Sequence, residues 1–142
     1  MNKSKIVIKI IVADYYKEIT KPLTSSAISL LKKNNFKYEV LKVPGVYEIP
    51  QMIKWNLKSK NLNLFIALGC VIKGQTYHFE VISDSVGKSL LDLVNNHPKT
   101  LITNGIINAN NMGQAIKRSK LDKKNKGYEA TSALIRMIEC LI

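Results

Sequence analysis

A five-residue run, Gly74-Gln-Thr-Tyr-His78, sets a glycine, a hydroxyl and an imidazole between an apolar stretch, Leu64 to Ile72, and a helical pattern. Backbone N–H groups ahead of a helix lack partners and carry partial positive charge, so they favour an anion. Gly74 removes the side chain that would block close approach, Thr76 adds a donor, and His78 exchanges protons near neutral pH. Such a turn can seat a phosphate and move a proton beside it. The same residues also describe a plain helix cap followed by a solvated histidine.

Other residues invite the same double reading. In Val43-Pro-Gly-Val-Tyr-Glu-Ile-Pro50, two prolines bracket a rigid loop, Gly45 admits a ligand to the backbone, and Glu48 can accept from hydroxyls. Glu48 is equally a carboxylate favoured at a helix start. Tyr15 can stack on a planar ring or lie half-buried in a loop. Arg118 can clamp an anion or simply favour the end of a short helix. Lys126 falls in what reads as a turn, Asn125-Lys-Gly127, where a lysine is ordinarily solvated. His97, before Pro98, carries no assigned role.

Positioning these groups is the task of alternating strands and helices. Ile6 to Ala13 is a β-branched run suited to a strand buried on both faces. Thr20 is placed to cap a helix with Pro22 in its first turn, and Asn34-Asn35 closes it. Strands follow at Lys37 to Val43, Asn63 to Val71 and Thr100 to Ile107. Helical spacing recurs after Pro50, from Ile82 to Val94, from Asn110 or Asn111 to Arg118, and from Ala130 to Leu141. This alternation predicts a flavodoxin-like three-layer α/β/α sandwich over a single domain, residues 1–142, with a four-stranded parallel sheet in the order 2-1-3-4. In such sheets ligands bind beyond the carboxyl ends of the strands, where the strand order reverses. The four strand ends, Asp14-Tyr15-Tyr16, Pro44 to Glu48, Gly69 to His78 and Asn104 to Asn111, would then lie on one edge.

Composition limits the alternatives. With 46% hydrophobic residues in 142, the chain can build a core without staples. No apolar run reaches the ~18 residues of a membrane span, and the amino end does not read as a signal peptide. Cys70 and Cys140 are far apart, without metal-ligand spacing, and point to a reducing, cytoplasmic setting. The formal charge is +12, which raises nucleic-acid binding. The lysines, however, are spread, Arg118 and Arg136 are the only arginines, and no dense basic run is interleaved with aromatics. With Asn and Ile also abundant, the charge reads as background composition.

Taken together, the segments resemble the lumazine synthase family of riboflavin biosynthesis. The resemblance rests on Val43-Pro-Gly-Val-Tyr-Glu-Ile-Pro50 and Ala67-Leu-Gly-Cys-Val-Ile-Lys-Gly-Gln-Thr-Tyr-His-Phe-Glu80, with Gln114-Ala-Ile-Lys-Arg118 and Asn125-Lys-Gly-Tyr-Glu129 following in order. It implies a cofactor-free condensation of 5-amino-6-(D-ribitylamino)uracil with 3,4-dihydroxy-2-butanone 4-phosphate. It implies His78 as proton carrier, with Gln75, Thr76 and Arg118 on the phosphate and Lys126 near it. Tyr15 takes the place of the stacking aromatic. Val46, Tyr47, Glu48, Cys70, Val71 and Ile72 line the ribitylaminouracil site, with Glu48 on the ribityl hydroxyls.

The resemblance further implies a homopentamer whose sites lie between subunits, with Asn104, Arg118 and Lys126 supplied by the neighbour. Some members build a larger shell, and riboflavin synthase is a candidate partner. The few residues before the first strand, and Leu121-Asp-Lys-Lys124 without a glycine, favour a free pentamer. Four positions depart from the family: Tyr16 for asparagine, Asn104 for phenylalanine, Lys73 for arginine and Gly113 for glutamate. Asn104 removes an apolar wall and supports one alternative, a scaffold protein of the same fold with impaired turnover.

Overall fold

A computed structural model describes residues 3–74 and 79–141. Four strands, β1 (Val7–Ala13), β2 (Lys37–Val43), β3 (Asn63–Ile72) and β4 (Thr100–Ala109), pair in parallel in the expected order β2-β1-β3-β4. The five helices among the described residues are α1 (Lys17–Lys33), α2 (Ile49–Trp55), α3 (Phe79–Asn96), α4 (Met112–Ser119) and α5 (Lys126–Leu141). None is long and apolar enough to cross a membrane.

The β-branched runs take the central places because only strands flanked on both sides must be apolar on both faces. β3 is buried from Asn63 through Cys70, whereas the edge strand β2 alternates exposed and half-buried positions. On one face Ile8, Ile10, Ile66 and Leu68 pack against Leu23 and Leu31 of α1 and Leu134 and Ile138 of α5. On the other, Ile11, Phe65 and Ala67 pack against Ile49 and Ile53 of α2 and Val86 and Leu90 of α3. Each fully buried side chain of this kind contributes about 1.5–3 kcal/mol.

Two helix starts differ from the sequence reading. α1 begins at Lys17, and Thr20 is not its cap. The main-chain carbonyl of Tyr16 accepts from Ile19 N (3.0 Å) and Thr20 N (2.9 Å), so the backbone closes the first turn, and Thr20 is buried inside the helix. Pro22 consequently lies within the helix and not in its first turn. α5 begins at Lys126, so Asn125-Lys126-Gly127 is a helix start and not an open turn. Asn125, fully buried, is its cap. Its Oδ1 accepts from Tyr128 N at 3.1 Å, while its Nδ2 donates to Ser119 O at 2.8 Å and Pro22 O at 3.4 Å. For α4, the choice between two asparagines falls on Asn111, whose Oδ1 accepts from Gln114 N at 2.9 Å.

Candidate active site

The carboxyl edge of the sheet is built by close approach. At Gly69, in β3, a Cβ atom would lie 2.7 Å from Val46 Cγ1 and 3.3 Å from Ala13 Cβ. The absent side chain therefore lets the 3-10 turn Val46–Glu48 settle over the ends of β1 and β3. Val46 is buried there, while Tyr47 is exposed and Glu48 half-exposed. Backbone bonds extend the edge: Asp14 N donates to Val43 O at 3.1 Å, and Lys73 N donates to Ala109 O at 2.9 Å.

Tyr15 stands at the end of β1 with 75% of its surface exposed. Its ring meets that of Tyr16 edge-on, with centroids 4.9 Å apart and planes at 86°. Tyr16 is packed against the core, so the residue that departs from the family pattern props the exposed ring. Burial, then the neighbouring Tyr15, Cys70 and Glu18, push the Tyr16 phenol above its ordinary value.

Cys70 is buried among core side chains. Burial, and secondarily the Glu18 carboxylate, push its thiol up to about 11. It is protonated at neutral pH and is no nucleophile; the thiol offers bulk, not charge. Val71 and Ile72 are half-buried at the end of the strand. Beyond them Gly74 turns with φ of 116°, in the left-handed region that glycine tolerates. Gln75, Thr76 and His78 lie outside the described residues. The segment that holds them is flanked by an ion pair, Lys73 Nζ to Glu80 Oε1 at 3.4 Å, exposed on both sides. Such a pair contributes at most about 1 kcal/mol.

The remaining candidates gather on or beyond the edge strand β4. Arg118 reaches back from α4, and its Nη1 donates to the carbonyl of Asn108 at 2.8 Å. Asn108 is fixed from the other side, its Oδ1 accepting from Ser83 Oγ at 2.9 Å. Asn104 is exposed, and its Oδ1 accepts from Ile106 N at 2.9 Å, so it serves its own strand. Lys126 pairs with Glu129 at 3.6 Å and has no hydrogen bond or ion pair to another candidate among the described residues. The strand ends thus bring together Tyr15, Val46, Tyr47, Glu48 and the end of β3. Asn104 stands on the outer strand, Arg118 on α4 reaches the end of that strand, and Lys126 stands apart on α5.

Three supporting residues were not singled out by the sequence reading: Gly69, Asn108 and Asn125. Their roles lie in contacts between elements. His97 is a structural residue, its Nδ1 2.9 Å from Leu93 O. Among the described residues no three His, Cys, Asp or Glu side chains gather as a metal site.

Comparison with known proteins gives a family match described as 6,7-dimethyl-8-ribityllumazine synthase over residues 5–141. The chain is similar to the 6,7-dimethyl-8-ribityllumazine synthase of Bartonella bacilliformis, 41% identical over 91% of this chain and 86% of that one. It is also similar to the proteins of that name from Bartonella tribocorum, 39% identical over 96% and 90% of the two chains, and Bartonella henselae, 39% identical over 94% and 87%.

Proposed function

The chain belongs to the 6,7-dimethyl-8-ribityllumazine synthase family, and we propose that it condenses 5-amino-6-(D-ribitylamino)uracil with 3,4-dihydroxy-2-butanone 4-phosphate. The products are 6,7-dimethyl-8-ribityllumazine, phosphate and water, in the penultimate step of riboflavin biosynthesis. The observation that carries this reading is the convergence of Tyr15, the Val46–Glu48 turn and the end of β3, locked by the contact at Gly69. That groove offers an exposed aromatic face, a carboxylate and strand-end backbone to a planar pyrimidine with a polyol tail.

The reaction asks little of the protein beyond placement. The pyrimidine amine attacks the ketone to form an imine with loss of water. Phosphate then leaves, and the ring closes with loss of a second water. Holding two reactive molecules in register supplies much of the rate. Proton traffic falls to His78, and the departing phosphate to Gln75, Thr76 and Arg118. The Cys70 side chain serves as a neutral wall.

The placement of Asn104 on the outer strand β4, and of Arg118 on α4 moored to that strand, supports a site shared between subunits of a homopentamer. In that assembly Asn104, Arg118 and Lys126 complete the neighbour's site. The protein works in the cytoplasm as a single domain spanning residues 1–142, on small-molecule substrates, and riboflavin synthase would take its product. The deciding experiment mixes the purified protein with both substrates and follows the fluorescent lumazine. Product formation above the uncatalysed rate is expected. Its absence would favour a scaffold protein of the same fold, the reading that the polar, self-bonded Asn104 suggests.

A further inference from the structure

The sheet edge opposite Tyr15 holds a second cavity. The amino ends of β1, β3 and β4 and the 56–62 connection line a half-open cavity of about 860 Å³, a volume suited to a small molecule. Five lysines line it: Lys5, Lys9, Lys58, Lys60 and Lys99. No acidic side chain lies among the described lining residues, and both ion pairs of the described residues are elsewhere. Among the described residues, Lys9 is the one of the five whose ammonium group hydrogen-bonds to another lining residue, Asn56 Oδ1 at 3.2 Å. Ammonium groups gathered without counter-charge repel one another and raise the local positive potential. The lysines come from three separate stretches of sequence, 5–9, 58–60 and Lys99, so a basic site that no linear run reveals is assembled by the fold.

Two further observations separate this cavity from a merely charged surface. Val7, Leu62 and Leu141 give it an apolar wall. Lys99 adopts φ of 60°, a left-handed conformation that opposes a lysine. The other non-glycine residue with positive φ is Asn35, just past the end of α1, where asparagine is a usual choice. Lysine at position 99 carries a strain that asparagine or glycine would relieve, and such strain clusters at ligand-holding positions.

We propose that this cavity binds a small organic phosphate with an apolar or aromatic body, independently of the site at the carboxyl edge. The ammonium groups take the phosphate, and Leu62 and Leu141 take the body. An extended polyanion would call for a continuous basic stripe in place of a single cavity.

The test is calorimetric titration of the full chain, in its own assembly and at low ionic strength, with 1-naphthyl phosphate and with inorganic phosphate. The naphthyl ester is expected to bind about tenfold more tightly than phosphate. Lys58→Glu with Lys99→Glu should weaken it about tenfold or more. Lys120→Glu with Lys123→Glu, an equal charge change elsewhere, should leave it unchanged. Arg118→Ala should not affect it, and the Lys58/Lys99 variant should keep wild-type lumazine turnover. Circular dichroism checks folding, with Lys58→Gln and Lys99→Asn as the gentler pair. Absence of binding, equal loss in the two glutamate pairs, dependence on Arg118, or preference for a single-stranded oligonucleotide would each overturn the proposal.

Discussion

Arg118 donates through Nη1 to the main-chain carbonyl of Asn108 at 2.8 Å, which moors the guanidinium to the end of β4. One N–H is spent on the mooring, and the rest of the fork is available to a phosphate. Arg118→Ala should therefore remove both the charge and its fixed position, lowering kcat/KM by about 10²–10³. His78→Ala should be milder, about 10², because placement supplies much of the rate. Steady-state kinetics on both variants decides the order. An Arg118→Ala enzyme close to wild type would refute the phosphate role.

Two inactive variants should repair each other if the site spans subunits. His78→Ala and Arg118→Ala chains, unfolded together and refolded as a mixture, would form some interfaces with both residues intact. Turnover in the mixture should exceed that of either variant alone several-fold. Simple averaging of the two residual rates would mean that each chain carries a whole site.

A methyl group at position 69 should test the architecture of the pocket. Gly69→Ala would press on Val46 Cγ1 from 2.7 Å and on Ala13, costing about 1–3 kcal/mol as overpacking. The displaced turn carries Glu48, so KM for the ribitylaminouracil substrate should rise more than kcat falls. Denaturant unfolding and steady-state kinetics read the two effects separately.

Asn125→Ala would remove the side chain that donates to the carbonyls of Ser119 and Pro22 and accepts from the N–H of Tyr128. The expected loss is about 2 kcal/mol or more, seen as an earlier urea midpoint with an unchanged slope.

The Cys70 thiol gives the pH dependence a sign. Its folded pKa is raised to about 11 from 9.0, so the folded state holds the proton more tightly than the unfolded state does. The stability this contributes is complete below pH 9 and is lost as pH rises toward 11. The raised phenol of Tyr16 acts in the same direction. Unfolding temperatures should fall across that window, less steeply in Cys70→Ala. At pH 8 iodoacetamide should label exposed Cys140 quickly and buried Cys70 only on unfolding.

The sheet was readable in advance because its signal is local. Runs such as Ile6 to Ala13 and Leu64 to Ile72 are apolar at successive positions, and their alternation with helical spacing leaves few topologies. Helix starts were less readable. Thr20 has the chemistry of a cap but is buried, and Tyr16, without a capping side chain, stands at the actual boundary. Asn125 caps α5 but looks like a turn residue, because its partners Pro22 and Ser119 are far from it in sequence or on another helix. The strand-end candidates could be placed on the sheet edge by position along the chain. That Gly69 seats Val46, and that Arg118 is held through Asn108, depends on contacts that no spacing rule encodes.

The burial of Asn125 and of Leu134 and Ile138 bears on the order of events at the ribosome. Polypeptides are made from the amino end, so Pro22 and the strands emerge before residues 126–141. Until those residues appear, the face of the sheet bearing Ile66 and Leu68 lacks one of its two long covering helices. The nascent chain therefore carries an open apolar face through most of its synthesis, a surface on which chaperones act. Docking of α5 closes that face and in the same step satisfies the carbonyl at the end of α4, the helix that bears Arg118.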